Sequence, residues 1–234
     1  MLYFDHSATT PIHPDIQLLI KELNQDIYGN PSSIHAAGRK AKHIVETARK
    51  QIADAVNCAP KEIIFTGGGS EANNLVLWNM MYRDRKHVIT SAIEHPAILA
   101  VLKQLEHLGI SHTIIPVNKY GWVNPEDIDA AIRESTGLIS IMMVNNEVGT
   151  VEPLKEIAKI AKKHNVLFHS DGIQVLGKLP IDVHELGVDM MSFSAHKFYG
   201  PKGVGAVYIK EGTSMKPLII GCLLYTSPSP RDAT

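Results

Sequence analysis

The stretch "MSFSAHKFYGPKGVGAVYI", residues 191–209, sets an apolar run against Ser194, His196 and Lys197, then breaks at Gly200-Pro201-Lys202-Gly203. A lysine closing a core strand is partly desolvated, and desolvation lowers its pKa. Such an amine suits Schiff-base chemistry. Ser194 and His196 beside it could hold a phosphate, and the glycines leave room for a ring. A solvated lysine on an edge turn is the plainer reading, and the apolar flanks fit it poorly.

Four further stretches hold residue types that could serve the same ligand. In "IIFTGGGSEANNLVL" a strand runs through Gly67, Gly68 and Gly69 into Ser70, Glu71 and a helix. Glycines permit close backbone approach, and a helix start offers free N–H groups to an anion. The P-loop ending is absent, and a simple turn with Ser70 as N-cap is an equal reading. Asp171 in "HSDGIQVLGK" ends a strand, where open α/β sheets bind ligands, and Gln174 could point the same way. A plain helix-capping aspartate is the alternative, favoured for an isolated Asp. In "MMVNNEVGTVEP", Asn145, Asn146 and Glu147 again follow a strand, with turn chemistry as the alternative. In "TSAIEHPAIL", His95 precedes a proline-started helix and could lie flat on a planar group; a helix-start histidine is the bland reading.

Together these parts ask for one cofactor. Pyridoxal phosphate needs an anion cradle, a carboxylate for its ring nitrogen, an amide for its ring oxygen and an imine-forming lysine. The 12 histidines show no H-E-x-x-H or H-x-H spacing and no C-x-x-C accompanies them, so no metal site is expected.

The elements that must position these residues alternate along the chain. Residues 14–24 read as a short helix and 34–56 as a long amphipathic one. Strands are expected at 62–66, 87–91, 111–117, 137–144, 166–170, 188–194 and 203–209. Helical patterns separate many of them, at 70–81, 95–108, 124–132 and 153–164. Asn124 and Pro125 read as N-cap and first residue of their helix. The alternation predicts an α/β fold with a mostly parallel sheet. Residues 1–14 read as an N-terminal segment and 15–221 as the large domain. The ending "CLLYTSPSPRDAT", 222–234, abandons the pattern and reads as an aberrant tail.

Composition narrows the class. The 234 residues carry 23 Lys+Arg against 24 Asp+Glu, which offers no basic footprint for nucleic acid. No run reaches the roughly 18 apolar residues of a membrane span. The opening "MLYFDHSATT" lacks the features of a secretory leader, and two cysteines make no disulfide framework. A cytoplasmic setting is expected.

The chain resembles the cysteine desulfurases, in the class V branch of fold-type I pyridoxal-phosphate enzymes. The resemblance rests on "YFDHSATTP", "YGNPSSIHAAGRKA", "IIFTGGGSEANNL", "EHPAIL", "VNNEVGTVEP", "HSDGIQVLGK" and "SFSAHKFYGPKGVGAVY", in that order. It implies a three-layer large domain and L-cysteine as substrate, converted to L-alanine with sulfur passed on as persulfide. It implies that Lys197 forms the Schiff base and moves protons, and that His95 stacks on the ring and serves in acid–base steps. Asp171 would keep the ring nitrogen protonated and Gln174 would bind the ring hydroxyl. Ser70, with Glu71 beside it, and Ser194 and His196 would form the phosphate end, and Asn146 would touch the ring or the substrate carboxylate. Ser70 stands for the family's usual threonine, and His6 for its frequent Asn.

The resemblance also implies a homodimer and a sulfur-acceptor protein as partners. It implies a substrate-carboxylate arginine, a sulfur-accepting cysteine loop and a small C-terminal domain, none of which is recognisable before or within "CLLYTSPSPRDAT". The expectation is therefore a fragment that holds the cofactor without completing desulfuration. Neither Cys58 nor Cys222 reads as the sulfur acceptor. A selenocysteine lyase, another class V aminotransferase or an inert cofactor-binding fragment are the alternatives.

Overall fold

The computed structural model describes residues 2–221. Seven strands form one sheet in the order β1-β7-β6-β5-β4-β2-β3. They are β1 (Ile63–Thr66), β2 (His87–Ser91), β3 (Ser111–Ile115), β4 (Thr136–Ser140), β5 (Leu167–Asp171), β6 (Met190–Ser194) and β7 (Gly205–Ile209). Neighbours from β3 across to β6 pair parallel, and β7 is antiparallel to both β6 and β1. The carboxyl ends of β1, β2, β4, β5 and β6 therefore share one edge of the sheet.

Helices cover both faces. They are α1 (Pro14–Asp26), α2 (Ala36–Val56), α3 (Gly69–Trp78), α4 (Pro96–Glu106), α5 (Pro125–Ala131), α6 (Leu154–Lys163) and α7 (Val183–Leu186). On one face Ala72, Leu75 and Val76 of α3 and Ile98, Leu102 and Leu105 of α4 pack on Val88, Leu138 and Met190. On the other, α2, α5, α6 and α7 contribute Ala53, Ile128, Ile157 and Val183 against Ile89, Ile139, Phe168 and Met191. Both faces of β2 and β6 are buried, and the polar residues they carry, His87, Thr90, Ser91, Ser192 and Ser194, are buried with the apolar ones. This is the three-layer α/β arrangement expected from the sequence. No helix among the described residues is long and apolar enough to cross a membrane.

Several expectations shift in detail. The strand expected at 137–144 ends at Ser140, yet Ile141 and Met143 still donate to His169 and Asp171 carbonyls, so the extended run continues the ladder. The segment after Asp171 turns tightly rather than forming a helix, so Gln174 sits on a turn. Lys197 lies three residues beyond β6, at the end of the 3-10 turn Ala195–Lys197. Ser70 is not an N-cap: Gly68 caps α3, and Ser70 lies in its first turn. The expected tail, 222–234, lies outside the described residues.

His13, His35 and His95 each accept a backbone N–H at a helix start through Nδ1. His169 is fully buried and bridges the Ser140 and Ser192 hydroxyls across three strands.

Candidate active site

A cleft of about 600 Å³ opens at the carboxyl edge of the sheet. Ser70, His95, Asn146, Asp171, Gln174, Ser194, His196 and Lys197 all line it. Those residues are separated by up to 127 positions in sequence and arrive on five different strand ends, as the fold class requires. Glu71 does not join them. Its carboxylate folds back to accept the Gly67 N–H at 2.8 Å and closes the glycine turn instead.

The cradle depends on glycine at two places. A Cβ on Gly69 would fall 2.2 Å from Ile173 Cδ1, so any side chain there intrudes between the start of α3 and the Asp171 turn. A Cβ on Gly205 would lie 2.7 Å from the Gly68 backbone, so β7 can run beside the cradle only without a side chain. The first turn of α3 thus presents its backbone donors to the cleft, with the Ser70 hydroxyl beside them.

Asp171 closes β5 and is almost fully buried. Its Oδ1 accepts the Ile173 N–H at 2.9 Å, and its Oδ2 accepts the Asn73 amide at 2.7 Å. Burial pushes this carboxyl above its ordinary range. The two hydrogen bonds and the His95 and Lys197 charges pull the other way. No helix follows for Asp171 to cap; the bond to Ile173 closes a local turn, and the carboxylate sits buried in the cleft wall.

Lys197 reaches across to the N-terminal segment. Its Nζ donates to the Ser7 carbonyl at 2.5 Å and the Ala8 carbonyl at 2.9 Å. Gln174 Nε2 donates to the same Ser7 carbonyl at 2.9 Å. Burial lowers the lysine pKa, with Lys178 adding to the effect and Asp171 and Asp5 opposing it. The fraction of neutral amine at a given pH is thereby larger than for a solvated lysine.

The turn itself is pinned by the same segment. Thr10 N–H and Oγ1 both donate to the His196 carbonyl, at 2.8 and 3.0 Å. Thr10 Oγ1 in turn accepts the Tyr199 N–H at 2.7 Å. Tyr199 has φ 66°, a left-handed conformation that non-glycine residues rarely adopt. His196 Nδ1 sits 3.1 Å from Thr9 Oγ1, and burial lowers its pKa, helped by Lys197 and Lys202.

His95 has two roles. Nδ1 accepts the Ala97 N–H at 3.0 Å, so in the neutral ring the proton sits on Nε2. That bond is the helix-start reading, and it sets the imidazole at the cleft wall. Asn145 instead builds the turn: its Oδ1 accepts the Glu147 and Val148 N–H groups. Asn146 and Glu147 line the cleft, joined by a 2.9 Å hydrogen bond.

Sequence reasoning passed over Asp5, Ser7, Ala8, Asn73 and Glu94. Glu94 is buried next to His95, and its Oε1 accepts the Ser91 hydroxyl and the Met142 N–H at 2.6 and 2.9 Å. Burial, with Asp171 and Glu152 nearby, pushes its pKa up to about 8. The "EH" pair at the end of an apolar strand was a usable signal for it. The backbone carbonyls of Ser7 and Ala8 had none.

The relatives carry the same arrangement of chain. A cysteine desulfurase IscS of Dictyoglomus turgidum is 48% identical over 223 residues, 94% of this chain and 57% of that protein. The IscS of Methanosarcina thermophila is 45% identical, over 94% of this chain and 55% of its own length. A solved structure described as SspA in complex with cysteine superposes with a TM-score of 0.92 at 39% identity. The match covers 95% of this chain and 65% of that one. A NifS-like protein gives 0.91 at 39% identity, over 94% and 62%. The chain thus spans little more than half the length of these curated relatives. The aminotransferase class-V model matches residues 2–234, and the chain belongs to that family, whose enzymes depend on pyridoxal phosphate.

Proposed function

We propose that this chain carries the cofactor site of a cysteine desulfurase, an enzyme that converts L-cysteine to L-alanine and passes the sulfur on as persulfide. One observation carries the reading. A partly desolvated lysine, a buried carboxylate, a capped histidine and the open start of a glycine-led helix converge on a single cleft. The names of the relatives and the cysteine complex of one neighbour support the same substrate.

The donor set fits pyridoxal phosphate. The first turn of α3, Ser70, Ser194 and His196 would hold the phosphate, in a cradle that a Cβ on Gly69 would obstruct. Asp171 would pair with the ring nitrogen, and a cation there would draw its raised pKa back down. Gln174 would turn from the Ser7 carbonyl toward the ring hydroxyl. When bound, the cofactor supplies an electron sink for charge developing at the substrate Cα.

The side chains do the rest. Lys197 Nζ, held by two carbonyls, must leave them to reach the cofactor, and as a neutral amine it can accept a proton from Cα. His95 would lay its ring face on the cofactor and offer its Nε2–H as a proton donor. Asn146 would take the ring or the substrate carboxylate. The sulfur acceptor does not come from the described residues of the cleft. Cys58 lies outside it, and burial with Glu62 and Asp54 nearby pushes its thiol up to about 12. A homodimer, a sulfur-acceptor protein and a cytoplasmic setting belong to the same reading.

The test is spectroscopic. Adding pyridoxal phosphate should produce the visible band of a lysine-linked pyridoxal, and Lys197→Ala should abolish it in a chain that still melts cooperatively. No band in the wild-type chain, or one unchanged by Lys197→Ala, overturns the assignment.

A further inference from the structure

Asn73 is a fully buried polar side chain behind the cleft. It lies on α3, four residues past Gly69, and is fully buried. Its Nδ2 donates to Asp171 Oδ2 at 2.7 Å, across 98 residues of sequence. Its Oδ1 is buried with no hydrogen-bond partner among the described residues.

That balance is unfavourable for packing alone. A buried amide with an unpaired acceptor is destabilising, and a leucine of similar volume would avoid the loss. What the amide achieves is specific to the acid. An N–H donor favours an ionised carboxylate over a protonated one. The neighbouring groups cannot guarantee this. The charged groups facing Asp171 are His95 at the start of α4, Lys197 on the turn after β6, and Glu94 ahead of α4. Glu94 opposes ionisation. Lys197 is lost as a counter-charge once its amine is neutral.

We propose that Asn73 is a positioning residue for Asp171: its amide fixes Oδ2 and favours the carboxylate form, leaving one acceptor position on each oxygen for a cationic ring nitrogen. This rests on the pyridoxal-phosphate reading for the nature of the cation. It also links the two ends of the site. Ser70 and Asn73 stand one turn apart on α3, so one rigid element sets both the anion cradle and the acid.

The experiment reads the acid directly, without cofactor. The chain is labelled with carbon-13 at the aspartate carboxyls, and the Asp171 resonance is identified by its loss in Asp171→Asn. In Asn73→Leu the resonance should titrate at higher pH than in the wild type. Asn73→Ser, smaller and still polar, should move it the same way and is the variant read if the leucine chain does not fold. A midpoint unchanged from wild type in a folded variant overturns the proposal. In parallel, pyridoxal phosphate should bind each variant about tenfold or more weakly, the effect of one lost hydrogen bond to a charged group. A wild-type chain that shows no lysine-linked band sinks the cofactor reading, while the carboxyl titration still decides the role of Asn73.

Discussion

Thr10→Val isolates how the N-terminal segment holds the reactive turn. Valine keeps the shape of threonine but removes its hydroxyl. The His196 carbonyl keeps its bond from Thr10 N–H, so that loss is partial. The Tyr199 N–H fares worse, because its acceptor was Thr10 Oγ1 at 2.7 Å. A fully buried donor left unpaired costs about 1–3 kcal/mol, and this bond is only partly buried, so the low end applies. Tyr199 already sits at φ 66°, and the lost bond is one of three that hold the turn there, with His13 N–H to the Tyr199 carbonyl and Gly200 N–H to the Ala195 carbonyl. Taking about 1 kcal/mol, and a fall of about 2–4 °C per kcal/mol for a chain of this size, the melting temperature should drop by about 2–4 °C. The assay is a reversible thermal melt, paired with pyridoxal phosphate titration, since His196 and Lys197 ride on the same turn. Thr10→Ser restores the hydroxyl and should recover most of the loss. If Thr10→Val melts with the wild type, or Thr10→Ser falls as far, the turn is not held in this way.

Two other outcomes follow from buried groups away from the cleft. Burial holds the His169 pKa down at about 3 against 6.5 for a free ring. Both states are neutral above pH 6.5; below it the unfolded chain takes a proton that the folded chain refuses, so stability is lost as pH falls. The loss should reach about 3 kcal/mol by pH 4. Urea unfolding across this range should show a shallower fall in His169→Gln, and identical slopes would refute the assignment. His87, whose pKa burial lowers to about 4, adds in the same direction. For Cys58, a thiol raised from 9.0 to about 12 has about a thousandth of the usual thiolate, so in a Cys222→Ser background it should react about a thousandfold faster after unfolding than before. Equal labelling rates in the folded and unfolded chain would show that the thiol is not suppressed.

Much of the site was legible because it hangs on strand ends. Asp171, His95, Ser194 and Lys197 each follow a short apolar run, and in an open α/β sheet such runs deliver their last residues to one edge. β2 (His87–Ser91) matched its sequence reading because every residue of it is buried. Direction was not legible. Glu71 follows the glycines as closely as Ser70 does, yet its carboxylate turns back to the Gly67 N–H while Ser70 faces the cleft. α7 was missed because four residues are too few for periodicity, although Asp182 as cap and Gly187 at φ 72° marked both its ends.

The harder omissions share one cause. Thr10, Ser7 and Ala8 meet the lysine turn over 186 to 190 residues of sequence, and two of those three act through backbone carbonyls. A carbonyl is present at every residue, so no residue type announces it. Asn73 is the reverse case. Its side chain is visible in "SEANNL", but the pair Asn73 and Asn74 sits in a helix where either could face solvent. Asn74 turns its amide to the Ser70 carbonyl one turn back, while Asn73 turns inward to Asp171. The difference is one helical step of about 100°, which follows from 3.6 residues per turn and depends on which face α3 lays on the sheet. The burial of Ala72, Leu75 and Val76 fixes that face, and with it the partner of the acid.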